Sequence, residues 1–315
     1  VCCSVPCHRQ IQGARLDSKL MDFGASPALL VAVAFAWGLA FQAIGSGLWH
    51  IFWHKAAVSG RYQRPLNHLL VLFYQQVLGI GASMLILQAL AVLGLFHTVG
   101  LIVAFALVLL PLTLLLSGLR LGFRPGARAR MTSLMRWWEW GVLACAVLLS
   151  VMVSWRFPGA WDDTSYHLPL ARTIVEHHAL VANEWLRFPY FPAFMHLLFA
   201  AWLLVDVWLA QWLATWPVVV ILVGLMGASR WLCRHAAWGV LAWTLVVSTP
   251  ALTHSLGFAY VDVGLALFCM AAVVAVALWA QSKTLKSCAW LVMAGGCAGI
   301  AVGIKVHGLV VAAGI

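Results

Sequence analysis

Two adjacent carboxylates, Asp162 and Asp163, lie in the segment 156–192, "RFPGAWDDTSYHLPLARTIVEHHALVANEWLRFPYFP". A third acid, Asp262, opens a later apolar run. A carboxylate within hydrogen-bond reach of a hydroxyl or amine can act as a general base. It can also ligate an ion or cap a helix, and at a helix N-terminus the dipole keeps it ionised. Both readings stand for the Asp162–Asp163 pair. His167 is close to the acids in sequence and fits either a hydrogen-bonded interface histidine or a metal ligand. Trp161, Tyr166, Trp185, Phe188, Tyr190 and Phe191 crowd the same segment. Such rings offer stacking surfaces for a sugar, and they are equally the aromatic belt of a membrane interface.

These residues need a scaffold. Leu168, Ala171, Ile174 and Val175 recur at helical spacing, which predicts an amphipathic helix over 164–178. Asp162, Asp163 and Thr164 stand where its N-terminal cap belongs. Pro169 fits the first turn of a helix starting near Tyr166 or Leu168. Such a helix is expected to lie on a membrane surface.

The membrane itself follows from composition. Of 315 residues, 64% are hydrophobic and 9% charged, with mean hydropathy +0.96. A soluble domain is about a quarter charged, so a soluble enzyme is excluded and an all-α polytopic bundle is expected. Runs long enough to span fall near 27–50, 67–94, 98–118, 137–155, 208–229, 236–252, 258–280 and 288–315. That is about eight spans, with 193–205 as a short juxtamembrane or re-entrant helix. The alternative joins 193–229 into one tilted span kinked at Pro217.

Orientation follows from the basic loops. Lys55, Arg61 and Arg64 follow the first span, and Arg120, Arg124, Arg128, Arg130 and Arg136 the third. Arg230 and Arg234 follow the fifth, Lys283 and Lys286 the seventh. With these loops inside, 156–207 and 253–260 face outward, and Asp162, Asp163, Glu176, Glu184, Asp206 and Asp262 gather there. Acids beside apolar runs at one face suggest a functional site, with a solvated loop as the alternative, above all for Glu176 and Glu184. The net charge of +10 reflects the same loops, not nucleic-acid binding. The eight cysteines form no disulfide framework. Residues 1–20 read as a leader outside the true start at Met21, and the apolar run ending at Ile315 reads as a truncation.

"WDDTSYHLP", the following helix and "RFPYFPAFMHLL" resemble the first outer loop of the GT-C glycosyltransferases. The branch that is most similar uses lipid-linked sugars: aminoarabinose transferases, protein O-mannosyltransferases and related bacterial enzymes. Asp162 and Asp163 match its acid pair and Tyr166 the aromatic three residues on. Asp262 in "LGFAYVDVGLALF" matches the acid of the second outer loop. Lys305 in "AGGCAGIAVGIKVHGLV" matches a lysine closing a Gly-rich span. The resemblance covers about 137–315 and leaves the spans within 21–136 unexplained. It departs before Pro192, where Tyr190 and Phe191 replace a Glu-Lys pair.

The resemblance implies transfer of a sugar from a polyprenyl-phosphate donor to a lipid, glycan or protein acceptor. The site would face outward from a bacterial inner membrane, surrounded by membrane lipids. It implies Asp162 as the base, with Asp163 and Asp262 completing the catalytic acids. Arg187, with Arg172 or Lys305 in reserve, would hold the leaving phosphate. Tyr166, His167, Trp185 and Tyr190 would line the substrate site. Lys305 also fits a lysine that snorkels to the interface. No CxxC or HExxH pattern establishes a metal, and a divalent cation at the acids is the one cofactor candidate. Rival classes are a membrane transporter and a non-catalytic scaffold. A transporter predicts a second copy of the 156–192 loop, and none is visible.

Overall fold

The computed structural model describes residues 26–57, 66–108, 135–186, 188, 192–281 and 288–314. Every regular element among them is helical. Helices α1 (Pro27–Ala57) and α2 (His68–Val92) come first, then α3 (Thr98–Val108) and α4 (Trp137–Ser154). A π-helical turn (Asp163–His167) leads into α5 (Leu168–His177). There follow α6 (Phe194–Leu203), α7 (Val207–Cys233), α8 (Ala237–Val247) and α9 (Pro250–Ser255). The last are α10 (Asp262–Gln281), α11 (Cys288–Ile304) and α12 (Gly308–Gly314).

Among the described residues five helices are long and apolar enough to cross a membrane: α1 over Pro27–Ile51, and α2, α4, α7 and α10. The other expected runs form shorter apolar helices or lie partly outside the described residues, so the expected number of about eight is neither met nor excluded. The run 236–252 is divided: α8 ends at Val247, and Pro250, which has no N–H to continue a helix, starts α9. Eleven residues of α8 rise only about 16 Å, against about 30 Å of hydrocarbon. The last run is divided between α11 and α12 by Lys305–His307. The run 98–118 lies partly outside the described residues. The single span over 193–229 does not form either. Asp206 stops it, accepting from the Trp208 backbone N–H at 2.7 Å as the N-cap of α7. Leu39, Leu107 and Val292 are among many apolar side chains left on the outside, as a surface facing lipid requires.

Helix α7 is the central post, touched by α1, α2, α4, α6, α8 and α10. Packing in lipid gains little from hydrophobicity, so close backbone approach and polar contacts hold helices together. Both operate between α1 and α2. Gln42 donates to Gln75 Oε1 at 2.5 Å and accepts from Gln76 at 2.9 Å. A Cβ at Gly45 would lie 1.6 Å from the Gln75 carbonyl oxygen, and one at Gly79 1.9 Å from that of Phe41. Gly79→Val is therefore expected to push the helices apart, at a cost of at least about 1–3 kcal/mol. A thermal melt in detergent measures it; an unchanged melt would contradict this packing.

Two opposite faces emerge from the polar contacts. At one, the start of α4 meets the end of α7 through the buried Glu139–Arg230 ion pair. The start of α2 joins them, where Asn67 donates to the Gly227 carbonyl at 2.9 Å. Glu139 thus reaches Arg230 as well as the Arg136 backbone N–H. At the other face the end of α4, the π turn, α5 and the start of α10 converge. The loop after α2 also docks there: Phe96 N–H donates to His178 O at 3.1 Å and Leu180 N–H to Ala91 O at 3.2 Å. Of the basic loop residues, Arg136, Arg230 and Arg234 are described and stand at the first face. Arg61, Arg64, Arg120, Arg124, Arg128, Arg130, Lys283 and Lys286 lie outside the described residues, as do residues 1–20.

A carboxylate and aromatic cluster as the candidate functional site

The 156–192 segment starts its helix earlier than expected. Residues 161 and 162 are already helical and the chain then widens into the π turn. The Leu168 N–H reaches the Asp163 carbonyl five residues back. Pro169, one residue on, has no N–H to offer Ser165, so the ordinary four-residue ladder is broken at this point. The expected capping role for Asp162, Asp163 and Thr164 is corrected accordingly. Asp162 has helical backbone angles and its side chain makes no cap bond. The Thr164 hydroxyl turns back to Ala160 O at 3.0 Å. The amphipathic helix itself is present as α5, with Leu168, Leu170, Ala171 and Ile174 buried and its main packing partner α6. His178, in the left-handed region at φ 54°, ends it.

The two adjacent acids have different surroundings. Asp163 is fully buried. Its Oδ1 accepts from the Ala259 backbone N–H at 3.3 Å, tying the π turn to the loop before α10. That loop is held from beneath as well. Gly257, at φ +76°, donates to Thr215 Oγ1 at 3.0 Å, and a Cβ there would lie 2.2 Å from Val153 O. Arg156 donates to Leu256 O and lies 4.0 Å over the Phe258 ring. Burial pushes the Asp163 carboxyl up to about 7, against the Ala259 and Gly159 N–H groups, the Arg156 charge and Gln211. Neither Asp163 Oδ2 nor the Gln211 amide completes a hydrogen bond of good geometry.

The sign of a stability effect follows. The folded protein holds the Asp163 proton up to about pH 7, whereas the unfolded chain releases it near 3.8. Stability from this group is full below that lower value and lost as pH rises through about 7. Asp163→Asn is expected to melt several degrees above the wild type at pH 8 and level with it near pH 4. Melts at the two pH values check this.

Asp162, by contrast, is half-buried. Tyr166 shares a hydrogen bond with it, and burial followed by the Asp162 charge pushes the phenol well above its usual pKa. Tyr260 also stands beside it: burial first, then the Asp162 charge, raises that phenol too, and the Asp162 backbone N–H opposes the shift. Both tyrosines also feel Asp262. Asp262, at the start of α10, accepts from Lys305 Nζ at 2.6 Å just past the end of α11. Lys305 is thus an ion-pair partner at a helix break rather than a lone cation reaching for an interface. His167 is fully buried, with Nδ1 2.8 Å from His196 Nε2. Burial, then the charges of His196 and Lys305, push it down to about 2, so it is neutral.

Asp162, Asp163, Tyr166, His167, Asp262 and Lys305, chosen from sequence, are therefore neighbours in space, contributed by the π turn, α10 and the end of α11. Other expected site residues stand apart. Arg172 pairs at 2.6 Å with Glu176 one turn along α5, both half exposed. Trp185 is 91% exposed. Arg187 and Tyr190 lie outside the described residues. Phe188, by contrast, packs edge-on at 5.2 Å from Tyr166. Among the described residues no group of three or more His, Cys, Asp or Glu side chains is placed to hold a metal ion.

Tyr260, His196, Arg156 and Gln211 were not legible as site residues. Tyr260 stands two residues before Asp262, the one available signal. His196 lies within "RFPYFPAFMHLL" and Arg156 opens the 156–192 segment, but neither stood out there as a site residue, and Gln211 lies in an apolar run.

Among the described residues the protein is all-helical, with the apolar helices of an integral membrane protein. No protein-family model matches the chain, and no solved structure matches it. The chain is similar to a protein of Shigella flexneri described only as uncharacterised, 46% identical over 128 residues. That match takes in 40% of this chain and spans 64% of the relative's length.

Proposed function

We propose that this protein is a membrane glycosyltransferase of GT-C type, moving a sugar from a polyprenyl phosphate to an acceptor at the outer face of a bacterial inner membrane. The supporting observation is the meeting of Asp162 with Tyr166, Tyr260 and the Asp262–Lys305 pair, 2.6 Å apart, at one face of an apolar bundle. In this reading the half-buried Asp162 takes the proton from the acceptor hydroxyl or amine as the acceptor attacks the anomeric carbon. The bond from that carbon to the phosphate oxygen breaks and free polyprenyl phosphate leaves. Lys305 exchanges Asp262 for the phosphate as its negative charge grows. Arg187, from the same loop, is the second cation. Asp163 fixes the loop and takes no proton from the acceptor.

One observation favours a proton-coupled transporter instead: Asp163 is buried and titrates near 7, as a proton carrier would. A single experiment separates the two. The protein is reconstituted in vesicles with a panel of polyprenyl-phosphate sugars and membrane-derived acceptors. Protein-dependent appearance of free polyprenyl phosphate, read by mass spectrometry, supports transfer. Proton or lipid-sugar movement with every donor left intact would overturn it in favour of transport.

A further inference from the structure

We propose that the face opposite the carboxylate cluster binds an anionic diacyl phospholipid. One acyl chain would lie in the groove between α4 and α8, with the phosphate at the basic starts of both helices. The groove has a volume of about 350 Å³ and is apolar along its length, lined by Trp137, Trp138, Gly141, Cys145, Leu149 and Trp243. It exists because α4 and α8 each pack on α7. One wall is fixed, since the Trp243 indole donates to Val218 O of α7 at 2.9 Å.

One end of the groove lies at the basic starts of α4 and α8. Helix α4 starts at its N-cap Arg136, and α8 starts just after Arg234 and His235. All three are exposed. Glu139, the acid nearest this end, is taken by Arg230. Among the described residues no carboxylate pairs with Arg136 or Arg234. The N-termini of α4 and α8 add partial positive charge at this end, which the C-terminus of α7 at the same face partly offsets, so the arginines carry the preference. Trp137, 86% exposed, and Trp238 frame it at the level where tryptophan meets lipid headgroups. An apolar groove gives little preference for one lipid tail over another in a bilayer. The headgroup therefore selects, and each basic residue near it favours an anion by roughly fivefold.

The test is native mass spectrometry of the full chain in mild detergent. It is titrated with phosphatidylglycerol or with phosphatidylcholine of the same acyl chains. One phosphatidylglycerol per chain is expected, bound at least about tenfold more tightly than phosphatidylcholine. Gly141→Leu should abolish that binding. A Cβ at Gly141 meets nothing within 4 Å, so the side chain fills the groove without displacing a helix. Arg136→Gln with Arg234→Gln should erase the preference for the anionic lipid, and this pair carries the test if Gly141→Leu does not fold. Equal binding of the two lipids by the wild type would overturn the proposal. So would phosphatidylglycerol binding unchanged in the variants, or its displacement from the groove by polyprenyl phosphate. None of these outcomes depends on the reaction proposed for the opposite face.

Discussion

Asp162→Asn is expected to lower sugar transfer by about 10²–10⁴-fold, the usual contribution of a general base, while leaving donor binding intact. Asparagine has nearly the shape of aspartate and its amide oxygen can still accept from Tyr166, whose hydroxyl shares a hydrogen bond with Asp162. What it lacks is the capacity to take a proton. Asp163→Asn is the internal control. Its side chain is fully buried and faces the Ala259 N–H, so transfer should change by less than about tenfold, outside the range of a lost base. Initial rates of polyprenyl-phosphate release for the two variants decide the matter. Equal losses in both would mean that the loop's geometry, rather than the Asp162 carboxylate, was disturbed.

Glu139→Ala is expected to destabilise the protein by about 3–5 kcal/mol. Glu139 is fully buried and its partner Arg230 nearly so, and removing the acid leaves an uncompensated guanidinium at the meeting point of α2, α4 and α7. Replacing both partners, Glu139→Met with Arg230→Met, should recover most of the loss, because a buried pair is often no more stable than well-packed apolar residues. Thermal or denaturant unfolding in detergent measures both. A loss under about 1 kcal/mol for Glu139→Ala, the scale of an exposed pair, would mean that water reaches Arg230.

Helical class and the positions of the long spans were readable because apolar runs of membrane length leave the backbone no alternative to internal hydrogen bonding. The helix breaks within those runs were not, because so few polar residues, as at Ser248–Thr249 and Lys305–His307, barely lower the hydropathy of a window of membrane length. The acids of the site were readable because charged residues are scarce in this chain. Their division of labour was not: neighbouring aspartates look alike in sequence, and only the placement of Ala259 and Gln211 separates the buried Asp163 from Asp162. Lys305 allowed two readings until Asp262, forty-three residues earlier, was found at its ammonium. Tyr260 and His196 were hidden because their roles arise from long-range packing of the loop before α10 and of α6 against the π turn.

The most direct test of the donor site is native mass spectrometry of the purified protein with added polyprenyl phosphate. Wild type and Asp162→Asn are expected to carry one polyprenyl phosphate per chain, and Lys305→Ala to lose it while still melting cooperatively. Stable wild-type protein that takes up no polyprenyl phosphate, or a Lys305→Ala variant that binds it as the wild type does, would contradict the assignment.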